Sequence, residues 1–139
     1  GFNLLIGDRQ ALWHFNSQSG EATALTPGIH GVSNAGLNTP WPKLERAKAA
    51  LADTLEAADE RALFALLADT TKPDDAALPD TGVGMELERL LGSVFITSPT
   101  YGTRASTLLF MYADGERRII ERSFGPDGRP SGEVRFDER

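Results

Sequence analysis

Cysteine is absent from this sequence. Its absence excludes disulfides, thiolate metal sites and a cysteine nucleophile within these residues, and leaves the redox compartment open. Histidine is nearly absent: His14 and His30 are the only two, not at a paired spacing, so no metal site is expected. No apolar run approaches the roughly 20 residues that a membrane-spanning helix needs. Basic charge is also in deficit, with 14 Lys and Arg against 20 Asp and Glu and a net charge of −6. Arg117, Arg118 and Arg122 alternate with Ile119, Ile120 and Glu121 instead of massing into a patch. No nucleic-acid partner is therefore expected.

The opening "GFNLLIGD" has no initiator Met, no basic n-region and no cleavage-site pattern. It reads as the start of a piece of a longer protein, with the cytoplasm as its default location. What is present suits one domain over residues 1–139: 40% hydrophobic and 24% charged residues form an ordinary globular composition. A chain of this size buries about 70% of the surface that its unfolded form exposes.

Three regions follow one another. In residues 1–34, Phe2, Leu4 and Ile6 alternate with Asn3, Leu5 and Gly7, "GDRQ" turns the chain, and "ALWHF" returns as the second strand of a hairpin. Glycine-bearing turns then surround a short Ile29 to Val32 element and lead to Asn34. Residues 39–91 read as helical. Pro42 suits a first turn, Leu44, Ala47, Leu51 and Leu55 recur at helical spacing, and Asp59 can cap a second helix with an apolar stripe of Leu63, Phe64, Leu66 and Leu67. After the loop "TTKPDDAALPD", "GMELERLLG" gives a third helix that Gly92 is placed to end.

The last region predicts strands at Val94–Thr97, Arg104–Tyr112, Arg117–Phe124 and Glu133–Phe136, with "ADGER" and "GPDGRP" as turns. Strands, then helices, then strands joined by short connections argue an α+β fold and not a regular βαβ alternation. Arg104–Tyr112 is apolar on both faces, which predicts a strand covered on both sides.

Few residues are candidates for chemistry. Asn34, at the end of a strand-like segment, can donate its amide to a developing oxyanion or spend it in an Asx-turn. Arg104, at a strand entry, either pairs with a carboxylate such as Asp80 or Glu86 or works in a site. His30, four residues from Asn34, can line a cleft, whereas His14 reads as a packed strand residue. Trp41, between two prolines, is a binding aromatic or a hydrophobic staple. Ser33, Ser106 and Thr107 lack a G-x-S-x-G elbow, and Gly82 and Gly84 lack the lysine and spacing of a P-loop. Neither a serine triad nor a nucleotide cofactor is expected.

The runs "GFNLLIGD", "PGIHGVSNAGLNTPWPKLERAK", "LPDTGVGMELERLLGSVFITSPTYGTRASTLLF" and "ERSFGPDGRPSGEVRF" together resemble the C-terminal part of the NRDE family, the transport-and-Golgi-organisation proteins. The likeness spans nearly the whole chain, and "HGVSNAGLNTPWPK" and "YGTRAST" are its specific blocks. That family is similar in turn to the N-terminal-nucleophile hydrolases, in the branch with bile-salt hydrolase and penicillin acylase. The resemblance implies part of an αββα four-layer sandwich. It also implies an N-terminal Cys nucleophile whose own α-amino group is the base, supported by an Arg–Asp pair that the Asn-Arg-Asp-Glu motif would supply.

Neither that Cys nor that motif occurs here, and Gly1 has an amine but no attacking side chain. What the resemblance carries over is Asn34 as oxyanion donor and Arg104 as an arginine facing the nucleophile. Acting on a small-molecule amide, such a hydrolase would need the rest of the protein, and this chain alone is expected to be inactive. Half a sandwich leaves apolar surface, so a homo-oligomer or pairing with the remaining part is expected. The other functional class is non-enzymatic binding or trafficking, including haem mobilisation, although His14, His30, Met85 and Met111 carry no haem-binding signature.

Overall fold

The structure is a computed structural model and describes residues 1–55 and 59–139; residues 56–58, within the segment read as helical, lie outside it. The chain opens as a meander of β1 (Asn3–Gly7), β2 (Leu12–Asn16) and β3 (Glu21–Leu25), paired antiparallel in that order. Each turn is made by a side chain that caps its own loop. Asp8 accepts from the backbone of Gln10 and Ala11, and Asn16 accepts from Gln18 and Ser19. The third strand was not expected, because "EATAL" carries one β-branched residue and no aromatic. Pairing with β2 makes it a strand.

Helix α1 (Pro42–Thr54) starts with Pro42 in its first turn, and α2 (Glu60–Leu67) with the Asp59 carboxylate accepting from Arg61 N, as the sequence predicts. Helix α3 (Met85–Leu91) does end at Gly92, but that glycine is right-handed, with φ −74°. Its role is space. A Cβ there would meet Leu78 at 3.0 Å, Pro73 at 3.1 Å and the Glu88 carbonyl at 3.2 Å.

A second antiparallel sheet runs β4 (Ala105–Met111), β5 (Arg117–Phe124), β6 (Pro130–Glu138). The Asp114–Gly115 turn joins the first two, with Gly115 at φ 97°. Two sheets with three helices among the described residues make an α+β fold.

The core lies where α2 meets β4 and β5. Ile120, opposite Leu108 in register, is 1% exposed, and Phe64 of α2 packs onto both, with Leu63, Leu67 and Phe110 around them. Full burial of one such side chain stabilises the fold by about 1.5–3 kcal/mol. Arg122 extends this layer by laying its guanidinium 3.8 Å from the Phe64 ring centroid.

Two expectations are corrected. Val94–Thr97 is not a strand, because groups outside any strand take its hydrogen bonds: Phe95 N donates to the Asp69 carbonyl, Ile96 N to Thr103 Oγ1, and Ser93 Oγ to the Phe95 carbonyl. Strand β4 is not covered on both sides either. Ser106 and Leu108 are buried, whereas Leu109 is 60% and Met111 55% exposed. Only the face toward α2 has a covering layer here, and the cross-strand row Leu109, Ile119, Phe136 stands open.

Candidate functional site

Asn34 sits on a tight turn closed by the Val32 to Leu37 bridge, with Ser33 N reaching the Gly36 carbonyl at 3.5 Å. The first hairpin holds this turn. Asn3 Nδ2 donates to the Ser33 carbonyl at 3.0 Å, and Asn16 Nδ2 to the Ala35 carbonyl at 3.1 Å. Asn16 also donates to Asn3 Oδ1 at 3.0 Å, and the buried His14 ring contacts the same oxygen through Nε2 at 2.9 Å. The carbonyls on either side of Asn34 are thus fixed by two side-chain amides, while the Asn34 amide is exposed and makes no hydrogen bond among the described residues. It forms no Asx-turn.

Two cavities meet at this turn. The larger, about 600 Å³, has an apolar floor of Leu44, Leu51, Leu63 and Leu67. The smaller, about 380 Å³, has Trp41 and Leu78 on its walls and Lys43 and Glu88 as its charged groups. Asn34 and Lys43 line both.

His30 lies on the rim of the larger cavity with both ring nitrogens engaged. Nε2 is 2.8 Å from the Thr26 carbonyl, and Nδ1 is 3.0 Å from Asn38 Nδ2. The carbonyl can only accept and the amide nitrogen can only donate, which assigns the neutral ring with its proton on Nε2. Asn38 completes the clasp by accepting from Gly31 N at 3.0 Å. Gly31 is required there, since a Cβ would stand 2.8 Å from Leu44 Cγ.

Trp41 lines the smaller cavity as the residue before α1, and Lys43 Nζ lies 5.6 Å from its ring centroid. The Lys43 ammonium donates to the Leu91 carbonyl, at the end of α3, at 2.9 Å. Burial pushes its pKa down, and the negative charge of Glu88 pushes it back up. Glu88 is 5% exposed and bonded through Oε1 to Thr81 N at 2.7 Å and Thr81 Oγ1 at 2.6 Å.

Arg104 precedes β4, is exposed, and makes no ion pair among the described residues, with Asp80 and Glu86 or otherwise. Its carbonyl accepts from Phe124 N. It lines neither cavity, so Asn34, His30 and Trp41 gather around them and Arg104 stands apart.

The residues that sequence reasoning missed are Asn3, Asn16 and Lys43. Signals for them exist. Asparagine is depleted in strands, yet Asn3 and Asn16 both stand at strand ends and pair in register. A lysine in the first turn of a helix opposes the helix dipole and needs another reason to be there.

A family model described as Transport and Golgi organisation 2 matches residues 1–126. The chain belongs to this family. Among curated relatives, the bovine "Transport and Golgi organization protein 2 homolog" is 36% identical and the human protein of the same name 33%, each match covering 88% of this chain and 50% of the relative. The chain spans about half the length of the curated relatives it matches. The matched family region contains the Asn34 turn, its three supporting side chains, Lys43 and Arg104. Among the described residues, no helix is long and apolar enough to cross a membrane, and no group of three or more His, Asp or Glu could hold a metal ion.

Proposed function

We propose that this chain supplies the oxyanion side of a site that cleaves a small-molecule amide in the manner of N-terminal-nucleophile hydrolases. The observation that carries the reading is an unspent amide on a fixed mount. An oxyanion donor must be positioned before the reaction and free of competing bonds. The backbone that carries Asn34 is held on both sides and its amide makes no hydrogen bond among the described residues, which supports this reading. In this reading the acyl part of the substrate occupies the larger cavity, with His30 on its rim, and Trp41 lines the amine side.

The nucleophile comes from residues outside this sequence, which has no Cys. Its thiol gives its proton to the α-amino group, and the thiolate attacks the carbonyl carbon while Asn34 donates to the oxygen as negative charge develops. The C–N bond breaks as the amine takes that proton, and water then cleaves the thioester to release the acid and restore the thiol. Arg104, exposed and without a carboxylate partner among the described residues, is available to hold positive potential toward the thiolate.

The test uses the complete gene product. Its intact mass establishes whether an N-terminal Cys is exposed, and a thiol-reactive acylating probe at neutral pH measures reactivity. Fast labelling, slowed by about 10²-fold or more in Asn34→Ala, is the expected result. No N-terminal Cys, or labelling no faster than a free thiol, overturns catalysis.

The second reading is a non-enzymatic carrier or trafficking protein. The apolar floor of the larger cavity favours it, and so do relatives named for transport and Golgi organisation, a name that states no reaction. Haem is one ligand to try: a shift of the haemin absorption band on addition of the complete protein supports that role.

A further inference from the structure

Lys43 is a half-buried cation with no ion pair among the described residues, although the negative charge of Glu88 acts on it from the same cavity. Its ammonium has three donors, of which one is spent on the Leu91 carbonyl at 2.9 Å. No carboxylate lies within 4 Å of it among the described residues, and the other charged group of the smaller cavity, Glu88, has its Oε1 bonded to both donors of Thr81. The position is an unfavourable one for a lysine on local grounds, since the first turn of α1 repels positive charge.

One structural role is evident: Lys43 ties α1 to the last carbonyl of α3. That role needs a donor at Leu91 but leaves a charge facing a cavity of about 380 Å³ walled by Trp41, Leu78 and Val83. Removing water from an ammonium for a single carbonyl is costly, and an arriving anion restores the lost interaction. Burial lowers the pKa of this ammonium, and the negative charge of Glu88 opposes that shift.

We infer that the smaller cavity is a binding site for a compact organic carboxylate, with Lys43 as its counter-ion and the Trp41 ring as the wall for its apolar part. The cavity is the one that the proposed reaction gives to the amine side of its substrate, but the inference does not rest on turnover at Asn34. A carboxylate bound here needs no nucleophile, and its binding can be read without turnover.

Benzoate and its neutral isostere benzamide are the probes. This chain has two tryptophans, Trp13 and Trp41; in the complete gene product every tryptophan other than Trp41 is replaced by Phe, and that protein is titrated while Trp41 fluorescence is followed. Benzoate is expected to give a saturable change at a concentration about tenfold or more below any response to benzamide, as for a bond to a charged group. Lys43→Met abolishes that preference and Lys43→Arg keeps it. Equal responses to benzoate and benzamide in the Lys43 protein overturn the inference without use of any variant. So does a preference that survives Lys43→Met with an unchanged circular dichroism spectrum. Loss of thiol labelling with benzoate binding intact removes the hydrolase reading and leaves this one standing.

Discussion

Asn3 and Asn16 face each other across the first hairpin and grip the same turn from both sides, one at the Ser33 carbonyl and the other at the Ala35 carbonyl. Removing either amide strands a partly buried carbonyl. Asn16→Ala is expected to destabilise the fold by about 1–3 kcal/mol, read from urea unfolding. It should also speed amide hydrogen exchange between Ser33 and Leu37 more than in β5. A uniform change across the chain would show that the grip is not local.

Gly31 and Leu44 give a second prediction. With Leu44 Cγ 2.8 Å from the place of a Cβ, and Leu44 itself buried, Gly31→Ala is expected to cost about 1–3 kcal/mol by overpacking. A compensating Leu44→Val should recover part of the loss. Thermal unfolding of the single and double variants decides this, and simple additivity counts against it.

Ile120 anchors the core beneath α2. Truncation of this 1% exposed side chain to alanine is expected to cost about 2–5 kcal/mol, whereas Leu109→Ala, on the open face of the same sheet, should change stability far less. Comparable losses at the two positions would mean that the outer face is covered in solution.

Glu60 links α2 to the second sheet by accepting from Arg118 and Arg135, and Asp137 accepts from the same two arginines. The hydrogen bond from Arg135 holds the Glu60 carboxyl below its ordinary value of 4.5, and that from Arg118 holds Asp137 below 3.8. A carboxylate with a depressed folded pKa contributes stability that is present above its ordinary value and lost as pH falls through the folded one. Glu60→Gln should therefore lower the melting temperature at pH 7 and make the curve shallower below about pH 4.5. Parallel curves for the two proteins would remove the network from the acid response.

Arg104 separates structure from function. Exposed and without an ion pair among the described residues, it should tolerate alanine with a stability change within about 0.5 kcal/mol. A slower reaction with the thiol probe in the complete protein would then assign Arg104 to the site. Unchanged labelling would leave it a surface residue.

Local chemistry determined much of this protein. Pro42 and Asp59 start their helices, Asp114 and Gly115 turn the hairpin between β4 and β5, and an apolar run marks β4, because each signal acts within a few residues of itself. The blocks "HGVSNAGLNTPWPK" and "YGTRAST" were enough to point to the family. Tertiary structure decided the rest. Strand β3 exists because β2 offers it an edge, and Val94–Thr97 fails as a strand because loop partners take its hydrogen bonds. The site follows the same division. Asn34 was legible as a candidate, but its mount comes from Asn3, thirty-one residues earlier, and Lys43 reaches a carbonyl forty-eight residues away. Such contacts leave no periodicity in the chain, since they depend on which surfaces meet after the elements have formed.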